Sequence, residues 1–197
     1  MAKFGRIGSA KNNKKEALNR ERKLAKDLGG RTQPNSGSLD GMKGDVIIDG
    51  FTIDDKHIGF DSSRQSYILT TQTLNKLTFE AYEQEREPTL ILKFYKGISR
   101  NYPTEWAFVP RRVFYKGMPK TVKLGSELSS FETEAKSYIV GVTMLNKIYR
   151  ESLKQEKEAI GALGFNKGIS LGASKWWNVT PLDYLKDIDF FTRAKDV

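Results

Sequence analysis

The 197-residue chain contains no cysteine and a single histidine, His57. Without cysteine there are no disulfides, thiolate zinc sites, iron–sulfur clusters or thiol nucleophiles. One imidazole is also too few for the usual zinc sites, so any resident metal has to rest mainly on oxygen ligands, which suits a hard cation such as Mg²⁺ or Mn²⁺. Long apolar runs are missing as well. No stretch approaches the roughly eighteen uncharged apolar residues of a membrane span, and "MAKFGRIGSAKNNKK" lacks the apolar segment of a secretory signal. The expectation is a soluble, intracellular, cytoplasmic protein with no membrane partner.

Negative charge is in short supply, with 24 acidic side chains against 33 Lys and Arg and a net charge of +9. The excess is densest near the N-terminus, at Lys3, Arg6, Lys11, Lys14, Lys15, Arg20, Arg22 and Lys23. A polyanionic partner, most simply nucleic acid, fits this balance, although charge alone does not decide it.

Hydrophobic spacing divides the chain into a basic arm over residues 1–15, a core over 16–117 and an extension over 118–197 that is mainly helical and packs on the core. Helical spacing runs from Asn13 to Leu28 and is stopped by Gly29-Gly30. The loop "GGRTQPNSGSLDGMKG" leads into "GDVIIDGFTIDDKHI", residues 44–58, where two β-prone runs flank Asp49-Gly50. Next come a helix in "TTQTLNKLTFEAYEQER", capped by Thr70 or Thr71, and two strands in "PTLILKFY" and "EWAFVPRRVFY". The order helix, hairpin, helix, strand, strand predicts an α/β (α+β) fold with a central mixed sheet flanked by helices. Farther on, a helix is expected over Thr143–Leu163, and "NVTPLDYLKDI" carries a cap pattern of Thr180, Pro181 and Asp183. One internal echo, "SYILTTQTLNKLTFEAYEQERE" and "SYIVGVTMLNKIYRESLKQEKE", lies at an offset of 71; two helices with similar needs explain it as well as a duplication.

The hairpin holds the chemistry. If Asp49-Gly50 is a two-residue loop, Ile48 faces Phe51, Ile47 faces Thr52, Val46 faces Ile53 and Asp45 faces Asp54, with Cβ atoms about 4.5–5.5 Å apart on one face. Alternation adds Lys56 to that face and turns Asp55 away. Two opposed carboxylates repel unless a proton or cation lies between them. A divalent metal resolves the conflict; a solvent-facing polar hairpin would also tolerate these residues. A third acid, Glu21, falls in the apolar stripe of Ala17, Leu18, Leu24, Ala25 and Leu28, where a carboxylate has to be compensated. Glu16, nearer the stripe's edge, is the other candidate.

A helical Glu21, the loop Ser36-Gly37, Gly44-Asp45 opening a strand and Asp54-x-Lys56 in the next strand together resemble the PD-(D/E)XK nuclease superfamily, above all the archaeal-type Holliday-junction resolvases and their phage-encoded relatives. The likeness covers roughly residues 16 to 95. It implies a restriction-endonuclease-like core and a Mg²⁺-dependent endodeoxyribonuclease, Mn²⁺ substituting, that cuts four-way DNA junctions as a homodimer. It further implies that Asp45, Asp54 and the Asp55 carbonyl ligate the metal, with Glu21 completing the acidic cluster directly or through water. Lys56 would position or deprotonate the attacking water and neutralise phosphate charge. Ser36, Gly37, Arg31, Lys43 and Gln72 would contact the substrate. Asp55 departs from the family, which usually has an apolar residue between the acid and the lysine. Two alternatives stay open: a restriction-like or repair endonuclease on duplex or branched DNA, and a non-catalytic DNA-binding protein with the nuclease fold.

Other residues have plainer readings. His57 is expected at a surface or substrate-facing position with a passive role. Trp176 and Trp177 are expected in the core rather than stacked on an unpaired base. Arg111 and Arg112 suit either a phosphate-facing edge or ordinary solvation, and the basic arm suits either DNA backbone contact or a disordered tail. A rival acid-x-Lys, Glu134-Ala135-Lys136, lacks an opposed upstream aspartate.

Overall fold

The computed structural model describes residues 10–33, 44–59, 65–95, 101–110, 113, 137–154 and 177–195. Helix α1 spans Ala10–Asp27 and therefore takes in residues 10–15 of the expected arm. Its stop is a Schellman motif. Gly29 adopts φ +69°, its amide donates to the Lys26 carbonyl at 3.3 Å, and the Gly30 amide donates to Ala25 at 2.7 Å. Gly30 also approaches the next strand so closely that a Cβ there would lie 2.4 Å from the Ile47 carbonyl oxygen. The chain can thus pass directly into β1 (Arg31–Thr32).

Strands β2 (Val46–Ile48) and β3 (Phe51–Ile58) form the expected hairpin, with pairs Ile48–Phe51, Ile47–Thr52 and Val46–Ile53. Next come β4 (Ser66–Thr70), α2 (Thr71–Tyr82), β5 (Glu87–Phe94) and β6 (Glu105–Pro110). Thr70 is the cap of α2, its hydroxyl accepting from the Thr73 amide at 3.1 Å. Later elements are β7 (Ser137–Gly141), α3 (Val142–Lys154), β8 (Trp177–Pro181), α4 (Leu182–Asp187) and α5 (Phe190–Lys195). The main sheet runs β1-β2-β3-β5-β6-β8 and is mixed: β3 and β5 are parallel, the other neighbours antiparallel. The architecture is α+β with a mixed central sheet flanked by helices.

Period-two alternation supplies both faces of this sheet with apolar side chains. Val46, Ile48, Phe51, Ile53, Ile91, Ala107 and Val109 pack beneath α1, α4 and α5. Ile58, Leu90, Leu92, Phe94, Trp106, Phe108, Trp177 and Val179 pack on the other side, against α2, α3 and the β4–β7 ribbon. Each fully buried large side chain contributes about 1.5–3 kcal/mol, so the central strands hold the molecule together from both sides.

Two expectations need correction, and a third point extends one left open. First, the region after residue 117 is not merely packed on the core: among its described residues, which are mostly helical, β8 lies in the main sheet beside β6, and Leu182, Leu185, Phe190 and Phe191 belong to the core under α1. Second, Thr180 does not cap α4. It sits in β8 and donates to the Pro181 carbonyl at 3.3 Å, Pro181 is the residue preceding the helix, and no side chain caps it. Third, "SYIL" is a strand, and the echoed segments meet in space. β4 pairs antiparallel with β7 about Ile68–Ile139, with Ser66 opposite Gly141 and Thr70 opposite Ser137. The offset carries Ser66 onto Ser137 and Thr70 onto Gly141, so a half-turn about the Ile68–Ile139 pair exchanges the two strands. Both isoleucines are exposed, at 64% and 71%. No helix among the described residues is long and apolar enough to cross a membrane. Residues 1–9 and the stretch 155–163 of the expected long helix lie outside the described residues.

Candidate functional site

The hairpin ladder ends at Val46–Ile53, and Asp45 finishes it in an irregular way. Gly44 has φ +86°, and a Cβ on it would come within 2.4 Å of the Thr52 methyl, so only glycine fits there. From that bend the Asp45 amide donates to the Ile53 carbonyl at 2.8 Å, while one carboxylate oxygen accepts from the Asp55 amide at 2.8 Å. Asp45 and Asp54 are thereby held side by side, as counting from the turn required. Lys56 donates to Asp54 at 2.5 Å.

The electrostatics follow from this proximity. Burial, then the Asp54 charge, pushes the Asp45 carboxyl up to about 7, with Asp54 also hydrogen-bonding its neutral form. Burial disfavours the Lys56 ammonium, but Asp54 and Asp45 outweigh it, so the lysine titrates above its ordinary value and stays charged. Tyr67, from β4, is also part of this site. Burial raises its phenol, with Lys56 opposing and Asp54 reinforcing the effect.

Glu21 does not join this cluster. Asp45, Asp54 and Lys56 lie on the face covered by α2 and the ribbon, whereas α1 covers the opposite face. Burial raises the Glu21 carboxyl, and the charges it feels are first Asp55, then His57 and Lys56. Glu21 lies half-buried on the core-facing stripe of α1, but on the wrong side of the sheet to complete the pair. Glu16 is exposed and pairs with Arg20 at 3.3 Å. Among the described residues no group of three or more His, Cys, Asp or Glu side chains is arranged to hold a metal ion. As a donor set, two opposed carboxyls of which one resists ionisation fit a hard cation in place of the proton.

Asp55 has the side-chain role that the sequence left blank. Its carboxylate, 5% exposed, meets His57 Nε2 at 2.6 Å, and His57 Nδ1 meets the Tyr95 hydroxyl at 2.6 Å. The His57 and Tyr95 rings stack at 5.6 Å, and Arg20 and Lys93 lie over the tyrosine ring. His57 is therefore half-buried on the α1 side, behind the strand face that carries Asp54 and Lys56. A cleft of about 230 Å³ adjoins it, walled by Arg20, Leu24, Ile91, Lys93 and Glu105. The i, i+2 spacing of Asp55 and His57 was the available signal for their meeting; Tyr95 and Tyr67 carried none.

Of the residues implied to touch substrate, Arg31 is exposed on β1 opposite Ile47, on the Asp45 side by alternation, and Gln72 is exposed in the first turn of α2. Ser36, Gly37 and Lys43 lie outside the described residues, as do Arg111, Arg112, Trp176 and Glu134-Ala135-Lys136. Trp177 is fully buried, as expected of a core residue.

Against this geometry the comparisons with known proteins are silent. No family model, no curated protein and no solved structure matches the chain.

Proposed function

We propose that the protein is a Mg²⁺-dependent endodeoxyribonuclease with a restriction-endonuclease-like core, selective for four-way DNA junctions and acting as a homodimer. The observation that carries this reading is the Asp45–Asp54 pair, two carboxyls pressed together across a hairpin with the Lys56 ammonium on one of them. Such a pair holds its proton to a higher pH than an ordinary carboxyl, and a divalent cation is the natural replacement for that proton. Asp45 and Asp54 would hold the metal, which supplies Lewis-acid polarisation of the phosphate and a more acidic water.

The chain's own residues supply the remaining functions. The Asp55 amide fixes the angle of Asp45. Lys56, kept charged by its neighbours, neutralises negative charge growing on the phosphate, so its role is electrostatic rather than that of a base. Tyr67 borders the same site with a phenol that remains protonated. The net charge of +9 suits a nucleic acid backbone, and a homodimer suits two symmetric cuts on a junction.

Asp54→Asn should reduce cleavage of a labelled four-way junction in Mg²⁺ by about a thousandfold or more while sparing junction binding. Unchanged cleavage removes the site assignment. Equal cutting of linear duplex, flap and junction replaces the resolvase reading with a repair-type or restriction-like nuclease. A second reading, a DNA-binding protein without catalysis, is favoured by the absence of Glu21 from the acidic pair. Wild-type protein that binds junctions but cuts nothing in Mg²⁺ or Mn²⁺ decides for it.

A further inference from the structure

We infer that Asp55, His57 and Tyr95 form a positioning relay that sets the Asp45–Asp54 pair from the opposite face of β3. The inference rests on the carboxyl pair being the reactive site.

The argument starts from one backbone amide. Asp55 N–H is the donor that holds the Asp45 carboxylate at 2.8 Å, beside Asp54. The spacing of the pair therefore depends on how residue 55 sits in the strand. Its side chain, nearly fully buried, is fastened to His57, and His57 is fastened in turn to Tyr95 just beyond the end of β5. Tyr95 is itself bracketed by Arg20 from α1 and Lys93 from β5. Helix, strand β3 and strand β5 are thus tied together at one point, directly behind the pair.

The constellation has the connectivity of a nucleophile–imidazole–carboxylate triad, with Tyr95 in the nucleophile's place. Burial, however, raises the Tyr95 phenol above its ordinary value, the wrong direction for a nucleophile. A structural tether is what remains, and outer groups of this kind typically alter metal affinity about 10- to 100-fold.

The test measures His57→Ala, His57→Gln and Tyr95→Phe at a temperature where all three are folded. Two readouts are taken: hydrogen exchange at the Asp55 amide, normalised to Ile91 and Leu92 amides, and Mn²⁺ affinity by calorimetry. His57→Ala should speed Asp55 exchange about tenfold and weaken Mn²⁺ binding about tenfold, with kcat reduced and the junction KM unchanged. His57→Gln, whose amide can still donate to Asp55, should return both within about threefold of wild type, with Tyr95→Phe between. Unchanged Asp55 protection in His57→Ala overturns the relay, and so does failure of His57→Gln to rescue. Wild-type protein that takes up no Mn²⁺ defeats the metal reading instead, and amide exchange alone then decides the relay.

Discussion

The two faces of β3 use the same kinds of residue to opposite ends. On one, Asp45, Asp54 and Lys56 are crowded so that charge is left in excess, and the Asp45 carboxyl titrates near 7. On the other, Asp55 is matched by His57, His57 by Tyr95, and Lys93 by Glu105. The first face stores an unmet electrostatic demand; on the second, the charges of Asp55 and Lys93 each have a matching partner. A strand one residue thick can thus carry a reactive site and its mounting back to back.

Substitutions on the two faces should separate sharply. The largest difference is expected in cleavage. Lys56→Met removes the cation on the strained face and should cost about a thousandfold, whereas Glu21→Gln on the other face should cost less than about tenfold. A loss in Glu21→Gln as deep as in Asp54→Asn would bring Glu21 back into the acidic cluster and erase the distinction. Next in size is stability. His57→Ala strands the buried Asp55 carboxylate and should lower unfolding free energy by about 3 kcal/mol in urea titrations.

The strained face shows itself in pH dependence. Asp45 binds its proton more tightly in the folded than the unfolded chain, so the folded state holds more protons between pH 4 and 7. Without metal, stability should fall by about 4 kcal/mol as pH rises through that window and level off above it; Asp45→Asn should flatten the slope, as should saturating Mg²⁺. A slope of opposite sign in calorimetric scans would mean the pair is relaxed. Smallest of all, Lys93→Met should cost less than about 1 kcal/mol, because its pair with Glu105 is partly solvated.

Local features were legible in the sequence and long-range ones were not. Asp49-Gly50 fixed the hairpin register, Gly29-Gly30 the end of α1 and Thr70 the cap of α2, because each is settled within a few residues. Periodicity also placed Glu21 on the core-facing stripe of α1. It could not say which side of the sheet α1 would cover, since a helical stripe specifies a face of the helix and not its place in the fold. β8 was lost for a related reason: its residues "WNVTP" run into a helix signature, and only pairing with β6, some seventy residues earlier, makes them a strand. Tyr95 reaches His57 across 38 positions, beyond any local pattern.

The ring cluster around Phe51 has a consequence for synthesis. Phe51 opens β3 and is covered by Phe190 at 6.1 Å and Phe191 at 5.1 Å, which leave the ribosome more than a hundred residues later. At roughly 5–20 residues per second, the hairpin waits about ten seconds or more without its cover. During that interval an aromatic surface and the open edge of β6 are available to any chaperone, or to a second nascent chain.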